Sequence, residues 1–304
     1  MKTLCVIGSI NMDLVATVDR FPQPGETRTG LDFATFPGGK GANQAMAAAR
    51  LGAKVQMVGK VGRDPFGARY LSLLDQAGVD RNTVAVLPGV PTGVAVIEVN
   101  EQGENHIVVV PGANGAVDAD YLESIWTQLE TRDLFLFQLE IPLPAIEAAI
   151  PRLHRLGKTV LLDPAPARPL DSRLLQNVDY LTPNETELAL LSGMETDRPE
   201  RIHAAALHVL ETGPKNIIAK AGRNGAYLVT RDTFLHVPGF SVDAIDTTAA
   251  GDTFNGAFAA ALARNLSPED AIRFANAAAA LSTTVRGAQA GMPGPDQVQA
   301  LMNR

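Results

Sequence analysis

The chain reads as an α/β protein, a mostly parallel sheet flanked by helices on both faces, with a small separate β-sheet. Two observations predict this. From Tyr121 onward short apolar runs alternate with helical segments, a rhythm that buries a parallel sheet between two helix layers. Before that, segments near 14–18, 27–36, 93–99 and 105–110 mix polar and apolar residues, as half-exposed strands do. The 304 residues suffice for one large domain spanning 1–304, with the small sheet as a lid built from those four segments.

Taken in order, Leu4 to Ile10 is a buried strand ending at Asn11-Met12-Asp13, and Leu14 to Val18 continues as a second extended piece before Phe21-Pro22-Gln23-Pro24-Gly25 stops it. Phe36-Pro-Gly-Gly-Lys-Gly-Ala-Asn43 opens an Ala-rich helix to Arg50. Lys54 to Val58 is a strand, and a helix follows Gly59 to Gly67 and reaches about Ala77. Gly93 to Val99 and His106 to Val110 alternate about a turn at Glu101 to Asn105. Then come helix (Tyr121 to Leu129), strand (Leu134 to Leu139), helix (Leu143 to Leu156) and strand (Thr159 to Asp163). Tyr180 to Thr182 ends a strand, Glu185 to Ser192 and Pro199 to Leu210 are helical, and Asn216 to Lys220 and Gly225 to Thr230 are strands. Helix signals dominate the remainder, with Ser267-Pro268 a cap and first-turn pair before Glu269 to Leu281.

Parallel sheets bind ligands beyond the carboxyl ends of their strands, and Asn11, Asp13, Glu140, Asn184 and Lys220 to Gly225 fall there. Lys40 and Asn43 are three apart and share a helix face. Amides, carboxylates and an ammonium in one place suit a polyhydroxylated ligand, whose hydroxyls both donate and accept; each of these residues alone is equally at home in a loop. In Asp246-Thr-Thr-Ala-Ala-Gly-Asp-Thr-Phe-Asn-Gly-Ala-Phe258, polar residues give way to a small apolar helix beginning near Asp252, with Phe254, Phe258 and Leu262 at helical spacing. A helix N-terminus is an anion site, Gly251 allows close backbone approach, and Asp252 stands beside it as capping residue or as functional carboxylate.

Other chemistries find no support. Lys40 is followed by Gly41 where a Walker P-loop needs Ser or Thr, and no Gly-x-Gly-x-x-Gly follows the first strand. The net charge of −7 argues against nucleic-acid binding. Cys5, the single cysteine, allows no disulfide framework, which fits a reducing, cytoplasmic setting. No signal segment or membrane span is expected.

Gly38-Gly39-Lys40-Gly41-Ala42-Asn43 together with Asp246-Thr-Thr-Ala-Ala-Gly-Asp-Thr-Phe-Asn-Gly256 resembles the two signatures of the ribokinase-like (PfkB-type) carbohydrate kinases. The resemblance extends through Gly8 to Asp13, Phe21 to Glu26, Gly103 to Asn105, Asp163 to Ala167, Thr182 to Glu187, Val237 to Phe240 and Gly287-Ala-Gln289. It implies the ribokinase-like fold and ATP-dependent phosphorylation of the 5-hydroxyl of D-ribose. Asp252 would be the base, and the Ala249, Ala250 and Gly251 backbone the anion hole. Asn11, Met12, Asp13, Gly39, Lys40, Gly41, Ala42, Asn43 and Glu140, with Asp252, match sugar-binding positions. Asn184 and Glu187 match a motif associated with Mg²⁺ and phosphate. Lys220, Ala221, Gly222, Arg223, Asn224, Gly225 and Asn276, with Gly251 and Asp252, match nucleotide positions. Asp246, Thr248, Ser282, Val285, Gly287 and Gly291 match a loop for an activating K⁺. The resemblance also implies a homodimer formed through the lid. Two positions depart from the family pattern: Lys220-Ala221-Gly222 stands where many members have Thr-Leu-Gly, and Asn276 where His is frequent. A kinase for deoxyribose, another sugar or a nucleoside is the nearest alternative, and a sugar-binding regulator without catalysis the more distant one.

Overall fold

The computed structural model describes residues 1–303. Its strands are β1 (Leu4–Ile7), β2 (Asn11–Thr17), β3 (Asp32–Gly38), β4 (Val55–Gly62), β5 (Asp80–Leu87), β6 (Gly93–Val99), β7 (Asn105–Val110), β8 (Leu134–Phe137), β9 (Thr159–Leu162), β10 (Tyr180–Leu181), β11 (Asn216–Lys220), β12 (Ala226–Val229) and β13 (Phe234–Val237). The α-helices are α1 (Lys40–Arg50), α2 (Pro65–Gln76), α3 (Ala119–Ser124), α4 (Trp126–Leu129), α5 (Leu143–Arg155), α6 (Ser172–Leu175), α7 (Glu185–Ser192), α8 (Pro199–Leu210), α9 (Ala250–Ala263), α10 (Pro268–Ser282) and α11 (Pro295–Met302).

Period-two alternation sorts the apolar strands between two cores. Leu4 and Val6 of β1 pack with α1, α9 and α10, whereas Cys5 and Ile7 pack with α5 and α8. Leu134 and Leu136 of β8 face the first core, Phe135 and Phe137 the second. Burial on both faces is why these strands read as unbroken apolar runs. The resulting sheet has the order β13-β12-β11-β10-β9-β8-β1-β4-β5, parallel except for β12, which is antiparallel to β11 and β13. The chain works outward from β1 to β4 and β5, then returns to β8 on the opposite side of β1. The β1/β8 boundary is therefore a topological switch point, where a crevice opens at the carboxyl ends of the strands.

The second sheet has the order β3-β2-β6-β7. Its β2–β3 pairing sets Asn11 opposite Gly38 and Asp13 opposite Phe36, so the small sheet delivers two polar residues to the start of α1.

Several elements differ from expectation. The strand expected over 4–10 ends at Ile7: the Gly8 N–H still donates to Val58 O at 3.1 Å, but the Ile10 N–H donates to the Asn114 side chain at 2.8 Å rather than to a neighbouring strand. Residues 27–31 lie outside β3, β4 continues through the glycines at 59 and 62, and the helix expected over 121–129 divides at Ile125. β5, β13 and α6 were not anticipated; β5 and β13 are the sheet's two edges, where exposed positions dilute the apolar pattern.

Candidate active site

Helix α9 starts at Ala250, two residues before expectation, because Ala249 adopts a left-handed conformation (φ 57°) and forms the N-cap without a side-chain cap. The Ala250 N–H turns back to Thr247 O at 3.2 Å. The N–H groups of Ala249, Gly251 and Asp252 have no acceptor among the described residues. They open on a cavity of about 970 Å³ lined by Lys40, Asp163, Glu187, Lys220, Asn224 and Gly251, among others. A Cβ on Gly251 would meet only Lys220 Nζ, at 3.8 Å, so the approach to this helix end is open.

Asp252, in the first turn of α9, is 7% exposed. Its Oδ1 accepts from Gln44 Nε2 and its Oδ2 from Asn43 Nδ2, each at 3.0 Å. Both donors come from the first turns of α1, which approaches α9 closely because Gly256 has no side chain: a Cβ there would stand 2.5 Å from Gln44 O. Burial raises the Asp252 pKa, and Lys40 offsets part of that rise. Asp252 therefore does not cap its own helix; its carboxylate points across to α1. Gln44 Nε2 also donates to Asp163 Oδ2 at 2.8 Å, and Lys220 Nζ donates to Asp163 Oδ1 at 2.9 Å.

On the other side of Asp252 lies a second polar group at the switch point. Ser9, after β1, donates to Glu140 Oε2, after β8, at 2.5 Å, and the Lys40 N–H donates to the same oxygen at 3.0 Å. The glycines before and after Lys40 make this packing possible. A Cβ on Gly38 would fall 2.3 Å from Asp13 Oδ1, one on Gly39, itself at φ 88°, 2.6 Å from Asn11 N, and one on Gly41 2.6 Å from Ser9 N. Asn11 Oδ1 accepts from Asn114 Nδ2 at 2.7 Å, which leaves the Asn11 amide N–H₂ to present as donor. Asp13 is pushed up to about 7 by burial, then by Glu140 and Asp252. Burial works against the charge of Lys40, but Asp252, Asp163, Glu140 and Glu187 outweigh it and keep the ammonium protonated. Met12 and Ala42 lie in the hydrophobic core with fully buried side chains, so they support this region from behind.

The cavity also holds the expected nucleotide residues Asn184, Gly222, Arg223, Gly225 and Asn276; Ala221 is buried against the second core. Two of them are already engaged. Asn184 and Glu187 form a reciprocal capping box at α7, with bonds of 2.8 and 2.7 Å. Asn276 donates from Nδ2 to Val237 O at 2.9 Å and to Pro238 O at 3.1 Å, tying α10 to the segment after β13. Asp246 stands apart from the cavity, accepting from Thr248 N at 2.9 Å and Gly287 N at 2.8 Å. Burial would raise its pKa, yet these donors hold it below the usual carboxylate range. Ser282 O and Val285 O converge on Gly291, where a Cβ would lie 2.2 and 3.2 Å from them.

Sequence reasoning gave no role to Gln44, Asp163, Ser9, Asn114 or Gln289. Asp163 ends an apolar strand just as Glu140 does, and Gln44 interrupts an otherwise small, apolar helix; those signals were readable. Ser9, Asn114 and Gln289 carry no local mark.

The sequence profile of the pfkB family carbohydrate kinases matches residues 1–295. The chain is 43% identical to the ribokinase of Bacillus subtilis over 303 residues, covering all of both chains. It is 39% identical to the deoxyribokinase of Salmonella typhimurium, covering 97% of this chain and 96% of that one. The structure of Arabidopsis thaliana ribokinase complexed with ribose and ATP superposes with a TM-score of 0.93 at 34% identity, covering 100% of this chain and 99% of that one. A helix start open to a large cavity, a buried carboxylate inside it and a profile match along nearly the whole chain lead to one assignment: this protein belongs to the pfkB family of carbohydrate kinases.

Proposed function

We propose that this protein transfers the γ-phosphoryl group of ATP to the 5-hydroxyl of D-ribose. The observation that carries the reading is Asp252, a buried carboxylate at a helix N-terminus, with the open cavity on one side and the Asn11, Asp13 and Glu140 group on the other. ATP occupies the cavity, and the sugar lies against the Asn11, Asp13 and Glu140 group. Each Asp252 oxygen accepts one protein hydrogen bond and keeps a lone pair for the sugar hydroxyl. Asp252 takes the hydroxyl proton as the oxygen bonds to the γ-phosphorus, and the bond to the bridging oxygen of ADP breaks. The free N–H groups of Ala249, Gly251 and Asp252 receive the charge on the transferring group, with Lys40 beside it. The bound Ala250 N–H has a smaller part here than in the expected anion hole.

The donor set around Asp163 and Glu187 fits Mg²⁺ held through water, since both residues line the cavity and the capping box at Asn184 engages only one of the two Glu187 oxygens. An ion held there would neutralise phosphate charge. The carbonyls of Ser282 and Val285, with Asp246, Thr248, Gly287 and Gly291 shaping the loop, fit a weakly hydrated monovalent cation such as K⁺. Replacing K⁺ with tetramethylammonium is expected to lower activity, and indifference to the exchange would remove that assignment.

The small sheet acts as a lid over the sugar and as the contact to a second copy. Leu31, Phe33, Ile107 and Val108, at or beside the two edge strands β3 and β7, expose 62, 63, 54 and 62% of their surface, apolar surface of the kind that a second subunit covers. Sedimentation at micromolar concentration should give a dimer; a clean monomer excludes the shared lid. Cys5 as a buried thiol and the use of ATP support a cytoplasmic setting. The deciding experiment is an ADP-coupled assay over ribose, deoxyribose, fructose and nucleosides. Ribose should have the largest kcat/KM, and a larger value for deoxyribose would move the assignment to the alternative that the Salmonella relative represents.

A further inference from the structure

We propose that Gln289 is a positioning residue: its one amide group holds Asn43 against the catalytic carboxylate and, through Tyr70, holds the Gly38 carbonyl beside the sugar. Gln289 Nε2 donates to Asn43 Oδ1 at 3.0 Å and to the Tyr70 hydroxyl at 2.7 Å, and that hydroxyl donates to Gly38 O at 2.7 Å. The polarity of this chain of bonds is set at its ends. Asp252 only accepts when ionised, so Asn43 must present Nδ2 to it and Oδ1 to its other neighbour. The Gly38 carbonyl only accepts, so Tyr70 must spend its proton there and take one from elsewhere. The two hydrogens of Gln289 meet both needs, and no other side chain bonds Asn43 Oδ1. Asn43, Tyr70 and Gln289 are all buried, so water does not replace a lost donor.

Gln289 is itself fixed from α1. Arg50 Nη1 donates to Gln289 O at 2.5 Å and Met292 O at 3.2 Å. Helix α1 is thus bound to the 289–292 segment at Asn43 and again at Arg50, across nearly the full length of the chain. Without the Gln289 donor, Asn43 is free to turn its amide, which would set Oδ1 against the Asp252 carboxylate. The charged groups around Asp252 are Lys40 from α1, Asp163 from the end of β9, Lys220 from β11, Glu187 from α7, and Asp13 and Glu140 from the sugar side. None of them replaces the Asn43 hydrogen bond, so its loss shifts Asp252 toward its protonated form, which is inactive as a base.

The inference rests on Asp252 as the base. Gln289→Met, near in volume but without donors, should lower kcat roughly five- to thirtyfold, as loss of one or two buried hydrogen bonds at a reacting group does. The acid limb of the kcat–pH profile should move up, a change that loosened packing alone would not produce. Tyr70→Phe should chiefly raise the sugar KM, with a smaller fall in kcat. An unchanged kcat and acid limb in Gln289→Met would overturn the proposal. If that variant does not fold, an unchanged sugar KM in Tyr70→Phe overturns it instead. Activity retained in Asp252→Asn would remove the underlying assignment of the base; an inactive Asp252→Asn beside an unaffected Gln289→Met removes the role of Gln289 alone.

Discussion

The two sides of Asp252 are built on different principles. The side proposed for the sugar is built of polar side chains that are fixed by others from distant parts of the chain: Glu140 by Ser9, Asn11 by Asn114, Asn43 by Gln289. The nucleotide side is open, and its principal groups are backbone N–H donors of one helix start and a glycine-rich turn, Gly222 to Gly225. The first arrangement preorganises recognition of hydroxyls at defined positions. The second accepts a large polyanion with few side-chain contacts. Asp252 and Lys40 stand where the two meet, and substitutions there should have the largest effects.

Asp252→Asn is the most severe test. The base is lost, and one of its two donors, Asn43 Nδ2 or Gln44 Nε2, loses its acceptor, so kcat should fall by about 10³-fold or more with a much smaller loss of sugar affinity. Titration calorimetry of the sugar and single-turnover kinetics check this; a variant that turns over near the parent rate would place the chemistry elsewhere. Lys40→Met comes next. It leaves Asp252 and Glu140 without their counter-cation, while Asp163 and Glu187 keep Lys220. Breaking a buried charge cluster in this way costs about 3–5 kcal/mol. Urea unfolding at pH 7.5 should show a loss of that order, and turnover should fall on both substrates. Full stability in this variant would show that the carboxylates are solvated or already neutral, and the contrast between the two sides would weaken.

The same contrast explains what was legible beforehand. The nucleotide side is local in sequence, so 246–258 and 220–225 announced themselves, and so did the buried strands of the large sheet. On the sugar side, Asn11, Asp13, Lys40 and Asn43 were readable as polar residues at turns and a helix start, but their supports were not. Nothing near Gln289 or Asn114 in the chain indicates a bond to a residue more than one hundred positions away. The start of α9 was misplaced by two residues because Ala249 takes a left-handed conformation that only Gly and Asn regularly signal. Edge strands β5 and β13 escaped because exposure at an edge erases the apolar run.

The smallest predicted effect concerns Asp13, and it separates the two sides by pH alone. Its carboxyl is raised from 3.8 to about 7 by burial and by the nearby Glu140 and Asp252. In the empty protein it therefore holds its proton through the range where the unfolded chain has lost it. The folded state binds more protons there, so its contribution to stability falls as pH rises from about 4 through 7. A sugar hydroxyl donates best to the ionised form. Sugar binding should then expel a proton, and sugar KM should fall severalfold, at most about tenfold, between pH 6 and pH 8. The nucleotide KM should stay nearly flat over that interval, because the N–H groups at α9 do not titrate. Asp13→Asn should flatten the sugar profile and reduce proton release, measured by calorimetry in buffers of different ionisation enthalpy. A sugar KM that rises with pH in the parent protein would show that Asp13 binds as the neutral acid, donating its proton to the sugar rather than accepting from it.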